Sequence, residues 1–249
     1  MLTQTQLLLS RRKMLGLLDE MAALPTTPAY SLYIPAGMPQ TEVESLIADM
    51  PEQQDIPPEI ARLAAGSKTG AVLFWGSERK SLILPPFPIR EKSITQGYHI
   101  EPLRSLLKHD YEIALVLVRL GSYAVGLCQG ERLVSSKVGT GLVHGRHKKG
   151  GSSQARFRRH REKQIEIFLT RVCTHAREHL EAQSKTLDYI VYGGAWTTIL
   201  SLKKRCPSLQ KFEDRVLPPL SELPELRQAV LERAISLAWS SRIIEWQEI

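Results

Sequence analysis

Between Tyr111 and Val138 three strand-like runs follow one another almost without interruption: Tyr111–Arg119, Tyr123–Cys128 and Arg132–Val138, with turns at Gly121-Ser122 and Gly130-Glu131. Their β-branched and aromatic content favours strands. Links this short permit antiparallel pairing, because parallel neighbours need a long crossover. The meander leads into a loop, Gly139 to Ser153, and then into a long helix predicted from about Gln154 to Ala182. The apolar stripe of that helix is Phe157, Ile165, Phe168, Leu169, Val172, Ala176 and Leu180, mostly at steps of three and four. Leu187–Val191 reads as a buried strand, Gly193-Gly194 as a turn, Thr197–Lys203 as a helix and Leu226–Trp239 as a final amphipathic helix. The order strand–strand–strand–helix–strand–helix predicts an α/β fold with a mixed sheet and flanking helices.

The N-terminal part reads as a smaller α/β subdomain. Residues 3–23 are predicted helical, closed off by Pro25 and Pro28, and Ser31–Ile34 is a short strand. Thr41–Ala48 has helical spacing with Thr41 as an N-cap, and a short helix ends near Ala65 after the Pro57-Pro58 break. Ala71–Trp75 and Ser81–Leu84 form a hairpin signature around Gly76–Lys80. Pro85-Pro86-Phe87-Pro88 reads as a linker, since such a run cannot sit inside a sheet. A short helix is expected over Glu101–Lys108. The expected division is 1–97 and 98–249, with no internal repeat.

The charge is concentrated. Of 33 basic and 26 acidic side chains, eight basic residues (Arg146, Lys148, Lys149, Arg156, Arg158, Arg159, Arg161, Lys163) and one acid, Glu162, fall between His144 and Lys163. The remainder balances at 25 against 25, so the net charge of +7 belongs to one 20-residue stretch. Positive charge gathered in this way is the footprint of a polyanion-binding site. Cys128, Cys173 and Cys206 are odd in number, widely spaced and without a CxxC pair, which argues against a disulfide framework and fits a reducing cytosol. The leucines at 7–9 are too few for a signal peptide and precede their charges, and Ile113–Val118 is far short of a membrane span. The expectation is a soluble cytoplasmic protein with no membrane partner.

The stretch from Gly145 to Gln154, containing Arg146, His147, Lys148, Lys149, Gly150, Gly151, Ser152 and Ser153, precedes a helix N-terminus. Glycines permit close backbone approach, and the free N–H groups and dipole of a helix start favour anions. Arg156, Arg159 and Lys163 continue as one cationic face. The same features also fit a solvated basic surface beside a glycine-rich loop.

The meander, the basic Gly-Gly loop and the helix start Ala155-Arg156-Phe157 resemble the catalytic middle domain of eukaryotic and archaeal class I peptide release factors. Ser31-Leu-Tyr-Ile-Pro-Ala-Gly37, Gly70-Ala-Val-Leu-Phe-Trp-Gly76 and Glu101-Pro-Leu103 are similar to strings in that family's first domain and domain junction. The family's codon-reading elements, expected between residues 50 and 66, are missing, as is a third domain that recruits a partner GTPase. The loop departs too: it reads Gly150-Gly151-Ser152-Ser153-Gln154, with the glutamine two residues further on than in the family's Gly-Gly-Gln. That arrangement is similar to the release-factor-like peptidyl-tRNA hydrolases of ribosome quality control, the VLRF group.

The resemblance implies a ribonuclease-H-like fold for the second domain and a reduced release-factor-like first domain. It implies hydrolysis of the nascent peptide–tRNA ester on stalled large-subunit complexes, independent of stop codons. Gln154 would orient water, with Gly150, Gly151, Ser152 and Ser153 fitting the loop to the site. Arg146, His147, Lys148, Lys149, Arg156, Arg158, Arg159 and Lys163 would hold tRNA or ribosomal RNA phosphates. No cofactor, metal or GTPase partner is expected. Two alternatives stay open: a nuclease that frees the peptide by cutting the tRNA 3′ end, and a non-catalytic ribosome or RNA binder. His144 and His147 are candidate acid and base for the first, whereas only Glu112 and Glu131 lie near the strands for metal-dependent chemistry. His175-Ala-Arg-Glu178-His179 fits the H-x-x-E-H zinc pattern but reads as exposed helix histidines. Gly139-Thr-Gly141 with Gly145 lacks nucleotide-binding spacing. Trp196, Trp239 and Trp246 read as core or a partner surface.

Overall fold

The computed structural model describes residues 2–24, 28–50, 56–145, 154–180, 185–220 and 226–248. The chain divides into two compact units, Met1–His109 with Trp239–Ile249, and Asp110–Ala238. The expected join near residue 97 therefore lies inside the first unit, and the end of the chain returns to that unit.

In chain order the first unit contains β1 (Leu2–Leu9), α1 (Arg11–Ala22), β2 (Ala29–Ile34), α2 (Gln40–Ala48), α3 (Pro58–Ala65), β3 (Ala71–Gly76), β4 (Lys80–Leu84), β5 (Ser93–Gln96) and α4 (Glu101–Lys108). Its last strand, β10 (Ser241–Glu248), comes from the far end of the sequence. The sheet order is β1-β10-β4-β3-β2-β5, antiparallel throughout. Because side chains alternate across a strand, β3 serves two cores. Leu73 and Trp75 pack with Val43 and Ile47 of α2 and Ile60 of α3. Val72 and Phe74 pack with Met14 and Leu18 of α1 and Leu103 and Leu107 of α4.

Two expectations change here. Residues 3–23 are not one helix: 2–9 form β1, whose partner is β10 in full register from Leu2↔Glu248 to Leu9↔Ser241. A pairing across the whole sequence overrides the local helical pattern. The Pro85–Pro88 run is no exposed linker, since Phe87 is fully buried with its ring centroid 4.6 Å from that of Trp239. Trp239 and Trp246 are core, whereas Trp196 is 51% exposed.

The second unit is also α/β. It comprises β6 (Glu112–Arg119), β7 (Ser122–Gln129), β8 (Arg132–Thr140), α5 (Gln154–Leu180), β9 (Tyr189–Gly193), α6 (Trp196–Arg205), α7 (Pro207–Gln210) and α8 (Gln228–Ala238). The sheet order is β8-β7-β6-β9, with the first three antiparallel and β9 parallel to β6. One sheet face, with Val116, Val125 and Tyr192, packs under Phe168, Leu169, Val172 and Ala176 of α5 and Ile199 and Leu202 of α6. No described helix in either unit is long and apolar enough to cross a membrane.

The cysteine expectation is also corrected. Cys173 of α5 and Cys206, just after α6, form a disulfide with Cα atoms 5.4 Å apart. The two are 33 residues apart in sequence and meet because α5 and α6 lie side by side over the sheet. Cys128 is free and buried, and burial pushes its thiol pKa up to about 12. Closing a loop of this length stabilises a fold by about 3–4 kcal/mol. Denaturant unfolding is expected to show a loss of that order in Cys173→Ser or after reduction; an unchanged unfolding midpoint would mean the bond contributes nothing.

Candidate functional site

Helix α5 has 27 residues, about 40 Å at 1.5 Å per residue. The strands beneath it have eight or nine residues at most, roughly 30 Å at 3.3 Å per residue. The helix must therefore outrun the sheet, and it does so at its N-terminal end. Every residue from Ala155 to His160 is exposed, and burial begins only at Phe168. Phe157, expected in the apolar stripe, is 54% exposed for this reason.

This overhang carries the cations. Arg158 lies 3.9 Å from Glu162, one turn on. Among the described residues no acid pairs with Arg156, Arg159 or Lys163, and the first turn contains no acidic residue. Basic side chains at the positive end of a helix dipole disfavour the helix by a few tenths of a kcal/mol to about 1 kcal/mol each. An arrangement that is locally unfavourable in the free protein becomes favourable when a polyanion is bound.

The chain leaving β8 is fastened along the same helix. Arg171 Nη1 donates to the Thr140 carbonyl at 3.0 Å. Gly141 lies so close to Phe168 that a Cβ there would come within 2.6 Å of the ring. Gln164 Oε1 accepts from the His144 backbone N–H at 3.1 Å, and Arg161 Nε donates to the His144 carbonyl at 2.9 Å. The rings of His144 and His160 are 6.2 Å apart. The chain thus climbs α5 from Arg171 towards its N-terminus. Sequence reading did not find these fastening residues; the signal was present in Arg161, Gln164, Phe168 and Arg171, which share one helix face.

Of the residues expected at the site, Gln154 is the first residue of α5. Arg156, Arg158, Arg159 and Lys163 are exposed on its first three turns. Arg146, His147, Lys148, Lys149, Gly150, Gly151, Ser152 and Ser153 lie outside the described residues. The structure therefore brings together the helix start, the cationic overhang and the fastened stem.

The other motifs have structural partners. His175 is half-buried, hydrogen-bonded to Glu178 at 3.0 Å and stacked on Tyr123 with ring centroids 5.7 Å apart. His179 instead meets Ser135 Oγ at 3.3 Å. These histidines are thus half-buried rather than exposed, and no described group of His, Cys, Asp and Glu is arranged to hold a metal. Gly139 and Gly141 give room to the rings of Tyr123 and Phe168. Glu112 opens β6, where its backbone N–H donates to Asp188 Oδ2 at 2.8 Å.

Residues 111–244 match the family model described as Actinobacteria/chloroflexi VLRF1 release factor. Peptide chain release factor subunit 1 of Aeropyrum pernix is 28% identical over 77% of this chain and 59% of its own length. The same factor from Archaeoglobus fulgidus is 30% identical over 51% of this chain and 32% of its own length. The chain thus spans between a third and three fifths of these relatives. A solved structure of the archaeal translation termination factor aRF1 aligns with TM-score 0.39 and 19% identity, over 92% of this chain and 70% of that one.

A side chain at Gly139 would overlap the Tyr123 phenol, and one at Gly141 would press on Phe168. Gly139→Ala is expected to cost about 1–3 kcal/mol of stability in denaturant unfolding; a neutral effect would show that the stem is not packed as described.

Proposed function

Since the chain belongs to the Actinobacteria/chloroflexi VLRF1 release factor family, we propose that it hydrolyses the ester joining a nascent peptide to tRNA on ribosomal complexes. The observation that carries this reading is the placement of Gln154 as the first residue of a helix whose opening turns present exposed cations. In this reading Gln154 orients a water against the ester carbonyl. A backbone N–H of the loop stabilises the developing oxyanion, and Gly150, Gly151, Ser152 and Ser153 shape the loop to a narrow site. In this reading water is the nucleophile, and the chemistry rests on positioning together with groups of the ribosomal RNA.

The cations Arg146, Lys148, Lys149, Arg156, Arg158, Arg159 and Lys163, with His147, hold tRNA or ribosomal RNA phosphates. The substrate is a stalled large-subunit complex in the cytoplasm, addressed without a stop codon and without a partner GTPase. The absence from residues 50–66 of the release factors' codon-reading elements supports stop-codon independence. The sheet order of the second unit, with three antiparallel strands and then a parallel fourth, supports a ribonuclease-H-like reading of it. The first unit is then a reduced counterpart of the release-factor first domain.

The test uses purified large subunits carrying labelled peptidyl-tRNA. Gln154→Ala is expected to slow peptide release by on the order of 100-fold while the released tRNA keeps an intact, rechargeable 3′ end. Release at the wild-type rate would remove Gln154 from the mechanism, and a shortened tRNA would assign the protein to nucleases. Arg156→Ala is expected to lower the slope of log binding constant against log salt by about 1; an unchanged slope would remove Arg156 from the phosphate contacts.

A further inference from the structure

The His144 backbone has no strand partner, because β8 ends at Thr140. Both of its polar groups are instead taken by side chains of one helix. Gln164 accepts from its N–H at 3.1 Å and Arg161 donates to its carbonyl at 2.9 Å. Each hydrogen bond alone leaves the residue free to rotate; together they restrict both sides of one peptide segment. The clasp acts with two further restraints below it, Arg171 on Thr140 and Phe168 against Gly141. Arg161 and Arg171 lie about 15 Å apart along α5.

We propose that Arg161 and Gln164 are positioning residues that fix His144, and hence the point at which the chain leaves α5 ahead of Gln154, rather than contacts to RNA. Three observations favour this over a phosphate-binding role. Gln164 is neutral and gives nothing to a phosphate's charge. Both side chains are half-buried, unlike the exposed Arg156, Arg159 and Lys163. Arg161 already commits its Nε to a protein carbonyl. Arg161 therefore leaves the cationic set to which its charge alone would assign it. The consequence for catalysis rests on the hydrolase reading above: a stem released from α5 samples many directions, so the productive arrangement of Gln154 and its flanking chain is populated less.

The test separates the clasp from the chemistry. Amide hydrogen exchange at His144 is expected to be slowed in the wild-type protein. It should become faster by on the order of five- to tenfold in Gln164→Ala, the loss of one exposed hydrogen bond, and recover in Gln164→Glu, which keeps the acceptor oxygen. In the peptide-release assay Gln164→Ala and Arg161→Ala are expected to lower the rate at saturating protein by a similar factor. The half-saturating concentration and the salt slope of binding should stay unchanged. Gln164→Glu should restore release.

An RNA-contact role predicts the opposite pattern: a shallower salt slope in Arg161→Ala, and Gln164→Glu weaker than Gln164→Ala through repulsion of phosphate. Either result, or exchange at His144 that ignores Gln164, overturns the proposal. A wild-type protein that releases no peptide defeats the hydrolase reading and its kinetic consequence, while the exchange measurement still decides whether the clasp exists.

Discussion

The packing of α5 against the sheet of the second unit sets the terms for everything at the candidate site. Phe168, Leu169, Val172, Ala176 and Leu180 are all buried against β6, β7 and β9, and a buried side chain of the larger kinds contributes about 1.5–3 kcal/mol. That stripe fixes how the helix is rotated about its own axis. At about 100° per residue, a stripe centred between Phe168 and Val172 leaves Arg156, Arg159 and Lys163 on roughly the opposite side. Arg161 falls in line with that stripe, seven residues before Phe168, and Gln164 and Arg171 fall roughly 60–80° to one side of it, where they meet the chain leaving β8. The core thus decides which basic residues face solvent and which fasten the chain.

The same packing makes the overhang possible. Isolated, the first turns of α5 would be a poor helix, with no acid in the first turn and cations where the dipole is positive. Helix formation is cooperative, and most of its stability in proteins comes from a packed apolar face. Two or more turns of unfavourable sequence can therefore be carried by the buried turns behind them. The disulfide between Cys173 and Cys206 lies in the buried half and ties α5 to the end of α6. Restraint is concentrated at the core end of the helix and charge at the other.

What the sequence disclosed follows from the range of the interactions involved. The meander β6–β8, the helix α5 and the helix α4 were legible because their patterns are local: strand runs with short links, and apolar steps of three and four. β1 was not, because its eight residues are strand only through their pairing with β10, and nothing near residue 9 refers to residue 241. Phe87 reads as part of a linker because its partner Trp239 is also far away in sequence. Spacing arguments about cysteines failed in the same way, since helix packing alone brings 173 and 206 together. At the site, the charge count takes Arg161 together with the other basic residues of the stretch, although it is not among those expected to hold phosphate; charge counts cannot distinguish a guanidinium aimed at a phosphate from one aimed at a carbonyl.

The division of the chain gives the family match a structural meaning. Residues 111–244 begin one residue after the second unit opens at Asp110 and end inside β10, beyond the unit's last residue, Ala238. The match therefore covers nearly all of the second unit and also the strand entry into the first. That strand is central to its sheet: β10 lies between β1 and β4, paired on both edges. Without it β1 would have no partner and β4 would present an open edge, the arrangement that invites pairing with another chain. The second unit is thus an insertion in the first: the chain leaves the first unit after α4 and returns to its sheet at β10. A chain built this way completes its first sheet only after the unit carrying Gln154 has been traversed.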